Sequence, residues 1–269
     1  MDTDAQAQFD AGATAWAEYN RKPLGRIRRE VTWHNLVRHL PAAAPGRAPR
    51  ALDAGGGSGE LAQRLLQEGY EVWLLDYAPG MLEQARQAAQ GLPQEIGSRL
   101  TYCPMAVDDA AGAFAPGYFD LLTCHTLIEY LPDPRATMRD LAELLREEGL
   151  LSVSWVNRQA EVLRQIWSKG DPEGALASLN QEGFRASLFD LTGVAYDAGE
   201  VATWIRDAGL AVMGTYGVRA FADYVPRERL EEASFFEALL RLELAAADQA
   251  PYRLTARYLQ TIANKQGPD

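Results

Sequence analysis

The sequence has little of several features that would define a class of function. Its 269 residues include 2 cysteines and 3 histidines, and these show no spacing typical of a zinc site. The first residues do not read as a secretory leader, and with so few cysteines we expect a reduced, cytoplasmic compartment. No apolar run approaches the length that spans a bilayer. The sequence therefore predicts neither a metal nor a membrane association.

Basic residues are also in the minority, but they are unevenly distributed. The chain has 26 Lys and Arg against 37 Asp and Glu, a formal net charge of −11, which by itself disfavours a general nucleic-acid binder. Residues 21–50, however, contain eight cations and a single acid, Glu30. We therefore expect one localised, salt-sensitive contact with an anionic partner, through Arg21, Lys22 and Arg26 in particular.

After residue 49, strand-like apolar runs alternate with segments of helical periodicity. This alternation predicts an α/β fold: a doubly wound, Rossmann-like sheet of seven mostly parallel strands with helices on both faces. We expect a single domain, 1–269, with an N-terminal helical segment, 1–49, that ends in a proline-punctuated linker, and an inserted lid over the irregular stretch 158–193. The predicted strands are 50–53, 71–76, 100–103, 119–124, 150–156, 210–217 and 257–263. The predicted helices after the linker are 60–68, 79–90, 137–146, 198–208 and 229–247.

The most informative segment is 52–60, Leu-Asp-Ala-Gly-Gly-Gly-Ser-Gly-Glu, where a strand runs into a glycine-dense turn and then a helix. Glycine tolerates positive φ and lets a ligand approach the backbone closely. The turn follows a parallel strand, where open α/β sheets bind their ligands. The alternative is a tight turn that binds no ligand. It is disfavoured because ordering four glycines costs conformational entropy on folding, and ligand binding would not offset that cost. Asp76 ends the next strand, where a carboxylate accepts ribose hydroxyls. Together these features predict a nucleotide-like cofactor.

Two cofactor classes fit this loop. The spacing Gly57-x-Gly59-x-x-Ala62 also satisfies the pattern of nicotinamide enzymes, so that class stays open. S-adenosylmethionine (SAM) is favoured by Asp53, which precedes the glycines and completes the pattern Asp-x-Gly-x-Gly-x-Gly. An acid at this position suits a cationic amino group and would repel a pyrophosphate.

The glycine loop and two later motifs together resemble the class I SAM-dependent methyltransferases. Residues 119–134 are similar to that superfamily's fourth strand and following turn, and residues 148–155 are similar to the entry to its fifth strand. Within the superfamily, the chain resembles the tRNA carboxymethoxyuridine methyltransferases, which esterify the carboxylate of a modified wobble uridine. The similar segments are 25–36, 52–86, 125–134, 213–224, 236–243 and 251–252.

The resemblance implies SAM as the cofactor and assigns it a set of residues. Arg28 would pair with the methionine carboxylate, Asp76 would hold the ribose, and His125 would stand beside the cofactor at the tip of the fourth strand. Asp108 is a candidate acceptor for the adenine amino group. The expected cofactor set is Arg28, Asp53, Gly55, Gly56, Gly57, Asp76, Tyr77, Met81, Ala106, Val107 and His125.

An anionic acceptor would require cations and hydrogen-bond donors. The candidates are Arg158 and Arg219 for charge, with Asn157 and Tyr224 for hydrogen bonding. Because a carboxylate is already ionised at neutral pH, it needs no general base, and no catalytic residue is assigned.

Three hypotheses follow from the sequence. The first is a carboxyl methyltransferase whose partner is tRNA. The second is a methyltransferase for a small anionic metabolite, favoured by the predicted lid, where residues 175–193 carry one cation, Arg185, and two acids, Glu182 and Asp190. The third is a SAM-binding protein without activity, against which the intact set of loop and strand-end residues argues. The oligomeric state is not indicated.

Overall fold

The computed structural model describes residues 3–40, 46–179 and 181–267. Two helices come first, α1 (Thr3–Arg21) and α2 (Pro23–Val37). Pro23 opens α2, where the amide hydrogen that proline lacks would have had no helical partner. Residues 41–45, in the predicted linker, lie outside the described residues.

Strands and helices then alternate as the sequence predicts. In chain order they are β1 (Arg50–Ala54), α3 (Glu60–Gln67), β2 (Glu71–Leu75), α4 (Pro79–Ala89), α5 (Gln94–Gly97), β3 (Leu100–Cys103), α6 (Ala110–Ala113), β4 (Phe119–His125), α7 (Pro134–Leu144), β5 (Leu145–Val156), α8 (Arg158–Lys169), α9 (Pro172–Ser178), β6 (Gly183–Ala186), β7 (Leu191–Val194), α10 (Ala198–Asp207), β8 (Leu210–Val218), α11 (Ala233–Ala246), α12 (Ala250–Thr255) and β9 (Tyr258–Lys265).

Seven strands form one sheet in the order β3-β2-β1-β4-β5-β9-β8. The pairs from β3 to β5 are parallel, and β9 runs antiparallel to both of its neighbours. This confirms the predicted Rossmann-like, mostly parallel sheet. The strand order reverses between β1 and β4, and ligands of open α/β sheets bind in the crevice at such a switch point.

Helices cover both faces of the sheet, each over its own hydrophobic core. On one face, α6, α7 and α10 pack on a core that includes Phe119, Leu141 and Trp155. On the other face, α2, α3 and α4 pack on a core that includes Leu65 and Leu74. The central strands are therefore buried on both faces, which is why they read as continuous apolar runs in the sequence.

The stretch 158–193 is more regular than the sequence indicates. It contains α8, α9 and a two-stranded hairpin of β6 and β7. The hairpin escaped prediction because β6 buries a single side chain, that of Phe184, too few for a period-two pattern. Whether 158–193 acts as a lid within a single domain stays a prediction.

Three predicted boundaries shift. The helix expected at 137–146 begins at Pro134, because the Asp133 side chain accepts the Ala136 amide hydrogen at 2.9 Å and caps it. The strand expected at 150–156 begins earlier, at Leu145. The last predicted helix is divided into a 3-10 turn, Arg227–Glu231, and α11. Within the described ranges, no helix is long and apolar enough to cross a membrane.

Candidate functional site

A cavity of about 870 Å³ lies at the carboxyl ends of β1, β2, β4 and β5. Pockets for small molecules and cofactors span about 300–1,000 Å³, so this cavity lies in the upper part of that range. All eleven residues of the predicted cofactor set line it. The structure therefore brings together at one crevice the residues that the resemblance assigned to the cofactor.

The glycine loop after β1 forms one wall, and its conformation requires glycine. Gly55, Gly57 and Gly59 have φ of 69°, 54° and 79°, a region that other residues adopt only at a cost. A Cβ atom on Gly56 would lie 2.8 Å from the Asp53 carboxylate oxygen Oδ2. The backbone of the loop is thereby exposed to whatever occupies the cavity.

Asp53 lies beneath this loop with one oxygen unpaired. Its Oδ1 accepts a hydrogen bond from the Thr123 hydroxyl at 2.7 Å, whereas Oδ2 is buried and has no hydrogen-bond partner among the described residues. Burial raises the pKa of the Asp53 carboxyl to about 6. A cationic group in the cavity would satisfy this oxygen, as the amino group of SAM would.

Asp76, directly after β2, is held by two backbone amides. Its Oδ2 accepts from the Gly57 amide at 3.0 Å and its Oδ1 from the Ala78 amide at 2.9 Å. Burial raises the pKa of Asp76 to about 6, against these hydrogen bonds, which lower it. Each oxygen keeps a lone pair, so the carboxylate can accept the two hydroxyls of a ribose.

Arg28 reaches the cavity from α2. Its Nη2 donates to the Asn20 side chain at 2.8 Å, and its guanidinium lies 4.4 Å from the ring of Trp16. No carboxylate in the described part of the chain forms an ion pair with it, and its Nε is buried without a hydrogen-bond partner. This charge is available to an anionic group such as the methionine carboxylate.

His125 ends β4, and Glu129 follows in the turn after it, along the same wall. The His125 Nε2 lies 2.8 Å from the Ser152 hydroxyl, and burial together with Arg28 lowers the pKa of the ring to about 3. The imidazole is therefore neutral and a weak base. Glu129 accepts the Val156 amide hydrogen through Oε1 at 2.8 Å, and burial raises its pKa to about 7. Glu129 was missed, although it lies in the same motif as His125.

The residues predicted to bind the acceptor are placed differently from the cofactor set. Arg219 lines the cavity, but its guanidinium forms an ion pair with Asp223 and donates to the Tyr19 hydroxyl. Its charge is already neutralised by the protein.

The other three predicted acceptor residues do not line the cavity, which corrects their grouping with it. Asn157 is fully buried and donates to the carbonyl oxygens of residues 254 and 256, both at 2.9 Å. Arg158 forms ion pairs with three carboxylates, those of Glu182, Asp197 and Glu200. Tyr224 packs edge-on against Trp167, with ring centroids 4.8 Å apart. Each of these three side chains therefore forms its hydrogen bonds, ion pairs or packing contacts within the protein.

An aromatic cover over the loop side was not predicted. Trp16 and Phe9 of α1 pack on Phe189, which lies between β6 and β7, with ring centroids 5.6 Å and 4.8 Å apart. The Gln6 side chain donates to the Tyr77 carbonyl at 2.6 Å and ties α1 to the loop before α4. No local pattern shows that these distant aromatic residues meet.

Five further arginines also line the cavity and were not predicted as site residues: Arg29, Arg64, Arg164, Arg185 and Arg257. Within the ranges that the structure describes, no group of three or more His, Cys, Asp or Glu side chains is arranged to hold a metal ion. The site therefore consists of a glycine loop, two strand-end carboxylates and a wall rich in guanidinium groups.

Known proteins resemble this chain in sequence and in fold. Residues 52–151 match the family described as the methyltransferase domain. The chain is 32% identical over 241 residues to the tRNA 5-carboxymethoxyuridine methyltransferase of Escherichia coli (strain K12), covering 90% of this chain and 89% of the relative. It is 31% identical over 216 residues to the ubiquinone biosynthesis O-methyltransferase of Xanthomonas axonopodis pv. citri (strain 306), covering 78% and 82%.

Solved structures agree on the fold. A SAM-dependent methyltransferase from Thermotoga maritima superposes with a TM-score of 0.63 at 14% identity, covering 97% of this chain and 99% of that one. A second, from Mesorhizobium loti, gives 0.60 at 18% identity, covering 87% and 98%. The buried Asp53 oxygen, the glycine loop and Asp76 fit SAM, and alignments with relatives above 30% identity cover most of the chain. This protein therefore belongs to the SAM-dependent methyltransferases and uses SAM as its cofactor.

Proposed function

We propose that this methyltransferase acts on the carboxylate of 5-carboxymethoxyuridine at the wobble position of tRNA. The observation that carries the proposal is the cationic wall of the cavity beside the cofactor loop. There the guanidinium groups of Arg28, Arg164 and Arg257 line the cavity. A wall that stabilises negative charge favours an anionic acceptor. The relative in Escherichia coli supports this acceptor, which also implies a cytoplasmic compartment.

The cofactor assignments are part of the proposal. Asp53 would accept from the amino group, Arg28 would pair with the carboxylate of the methionine portion, and Asp76 would accept the ribose hydroxyls. Asp108, which lines the cavity and accepts the Thr137 hydroxyl through Oδ1 at 3.0 Å, keeps Oδ2 for the adenine amino group. Tyr77, Met81, Ala106 and Val107 would border the same groups.

SAM, when bound, supplies a methyl group already activated on its sulfonium, and a neutral thioether remains once that group has moved to the acceptor oxygen. The protein then has to position the acceptor and exclude water rather than remove a proton. A neutral His125 with a low pKa suits this role, since it shapes the wall without acting as a base. The aromatic cover of Trp16, Phe9 and Phe189 would exclude water on the loop side.

We further propose that 158–193 acts as a lid within a single domain. The β6–β7 hairpin supports this, because Phe184, Phe189 and Thr192 line the cavity. Phe9 and Trp16 of α1 meet the same hairpin. Opening of these contacts would expose the cofactor end of the cavity.

The tRNA itself would bind through the junction of α1 and α2. Arg21, Lys22 and Arg26 are exposed there, on the helices that carry Trp16 and Arg28 to the cavity. Three other cations of the basic segment, at positions 38, 47 and 50, form ion pairs with carboxylates, and Arg28 and Arg29 line the cavity. The basic character that remains is concentrated at the junction.

Glu129 favours a second candidate function. With a pKa of about 7 and an Oε2 that has no hydrogen-bond partner in the described residues, it could accept a proton from a phenolic acceptor. The relatives named for ubiquinone biosynthesis are consistent with a small-molecule O-methyltransferase. In the hairpin, Arg185 pairs with Asp190, so that segment offers a polyanion little free charge.

Transfer of radiolabelled methyl groups from SAM separates the two candidates. The proposal predicts an alkali-labile ester on tRNA that carries 5-carboxymethoxyuridine, and no label on the same tRNA with an unmodified wobble uridine. Label in a phenolic small molecule and none in the modified tRNA would refute the proposal and support the alternative. Binding of SAM without transfer to either acceptor would indicate a SAM-binding protein.

Charge reversal tests the docking surface. The variant with Arg21, Lys22 and Arg26 replaced by Glu should bind tRNA more weakly and with a shallower salt dependence, because fewer counterions are released. Its dissociation constant for SAM should be unchanged. A variant with three other exposed arginines, Arg139, Arg206 and Arg227, replaced by Glu changes the net charge equally and serves as the matched control. Equal weakening by the control would mean that net charge, and not this surface, determines binding.

A further inference from the structure

The end of the cavity near β5 and β9 carries an excess of positive charge that the cofactor assignment leaves unused. Arg164 of α8 and Arg257, directly before β9, both line the cavity. Between them lies Glu161, a buried carboxylate that is 6% exposed and does not itself line the cavity. The three side chains form a single connected cluster.

Glu161 is shared by the two arginines. Arg164 donates to Oε2 through Nε at 3.0 Å and Nη2 at 2.8 Å. Arg257 forms an ion pair with the other oxygen, Oε1. One negative charge therefore serves two guanidinium groups, and each of the two arginines keeps N–H donors that Glu161 does not accept.

The neighbouring charges do not remove this excess. Arg219 is paired with Asp223, so on this wall three guanidinium groups face two carboxylates. The remaining acid, Glu129, is buried, and burial raises its pKa to about 7, so it carries less negative charge at neutral pH than an ordinary carboxyl group. When it is protonated, it adds no third negative charge to this wall.

We propose that Arg164 and Arg257, held by Glu161, form the seat for the carboxylate of the acceptor. This inference rests on the proposed function and adds the residues that recognise its acceptor. The place suits the role, because the seat lies beyond the ends of β4 and β5, next to the wall that carries His125 and Glu129. Methylation would remove the charge that the seat binds, so the ester would be held less tightly than the acid and would leave.

Binding of two RNAs tests the seat directly. One is an anticodon stem-loop that carries 5-carboxymethoxyuridine, and the other is the same RNA with the methyl ester. With S-adenosylhomocysteine present, the wild type should bind the acid about 10–100-fold more tightly than the ester, the range of a charge-assisted hydrogen bond. Arg257→Gln and Arg164→Gln should each bring this ratio close to one and leave binding of the ester unchanged.

Two further variants distinguish recognition from structural support. Glu161→Gln removes the shared negative charge and should preserve or increase the preference for the acid, whereas a purely structural cluster would lose binding in all three variants. Arg135→Gln, which breaks the exposed ion pair with Asp207, is the control and should leave the ratio unchanged. The SAM dissociation constant of each variant shows whether the fold is intact.

Three other outcomes would overturn the inference or the proposed function. If Arg257→Gln weakens binding of the acid and the ester equally, the arginines contact a phosphate, and the inference is overturned. If the wild type binds the two RNAs equally well, no carboxylate is recognised here. If the wild type binds neither RNA, the proposed function itself is refuted, and the role of Arg164 and Arg257 in binding the carboxylate is refuted with it.

Discussion

Replacing Asp53 by Asn should make the protein without cofactor more stable and weaken its binding of SAM. The carboxyl is buried, and its pKa rises from an ordinary 3.8 to about 6. Ionisation of such a group costs the folded state about 3 kcal/mol relative to the unfolded chain. The amide of Asn has almost the same shape, can still accept from the Thr123 hydroxyl, and carries no charge.

The pH dependence fixes the sign of this effect. Because the folded-state pKa lies above that of the unfolded chain, protonated Asp53 favours folding. That contribution is fully present below about pH 3.8 and is lost as the pH rises through about 6. Asp53→Asn should therefore match the wild type near pH 4 and exceed its free energy of unfolding by up to about 3 kcal/mol at pH 8.

Urea denaturation at pH 4, 6 and 8, with calorimetric titration of SAM at pH 8, measures both effects. The dissociation constant for SAM should rise about 10–100-fold, because the amino group loses its charged acceptor. Asp109→Asn, at an exposed position, is the control and should change stability by less than about 0.5 kcal/mol. A variant less stable than the wild type at pH 8, or one with unchanged SAM affinity, would refute the reasoning.

Three further substitutions test other parts of the site. Gly57→Ala forces φ of 54° on alanine and brings Cβ to 3.3 Å from the Trp16 ring nitrogen. Calorimetry should therefore show SAM affinity reduced at least about tenfold. The control is Gly91→Ala, which has open space around it and should leave SAM affinity unchanged. Trp16→Leu should speed release of SAM in stopped-flow measurements by opening the aromatic cover, and an unchanged release rate would show that α1 is not a barrier. Asn157→Ala should lower the free energy of unfolding by about 2–3 kcal/mol, since buried carbonyl groups lose their donor; an unchanged SAM dissociation constant in that variant is expected if Asn157 is structural.

The cofactor end of the site could be predicted because its determinants are local. The turn after β1 needs positive φ at successive glycines, and a strand end places Asp76 beside it, so a short stretch of sequence specifies both. The acceptor end was predicted less well. Arg158 and Arg219 carry the positive charge that an anionic acceptor requires. That charge is neutralised, however, by ion pairs with Glu200 and Asp223. A sequence shows which residues are charged and not which of them are already paired.

The sequence by itself determined the alternation of strands and helices, the glycine loop and the two carboxylates at the strand ends, because periodicity and backbone conformation are properties of neighbouring residues. Only the tertiary structure decided that α1 covers the loop and that Arg164 and Arg257 share Glu161 at the cavity wall. Those contacts join segments that are distant in the chain, and burial rather than residue type decides whether their charges remain available.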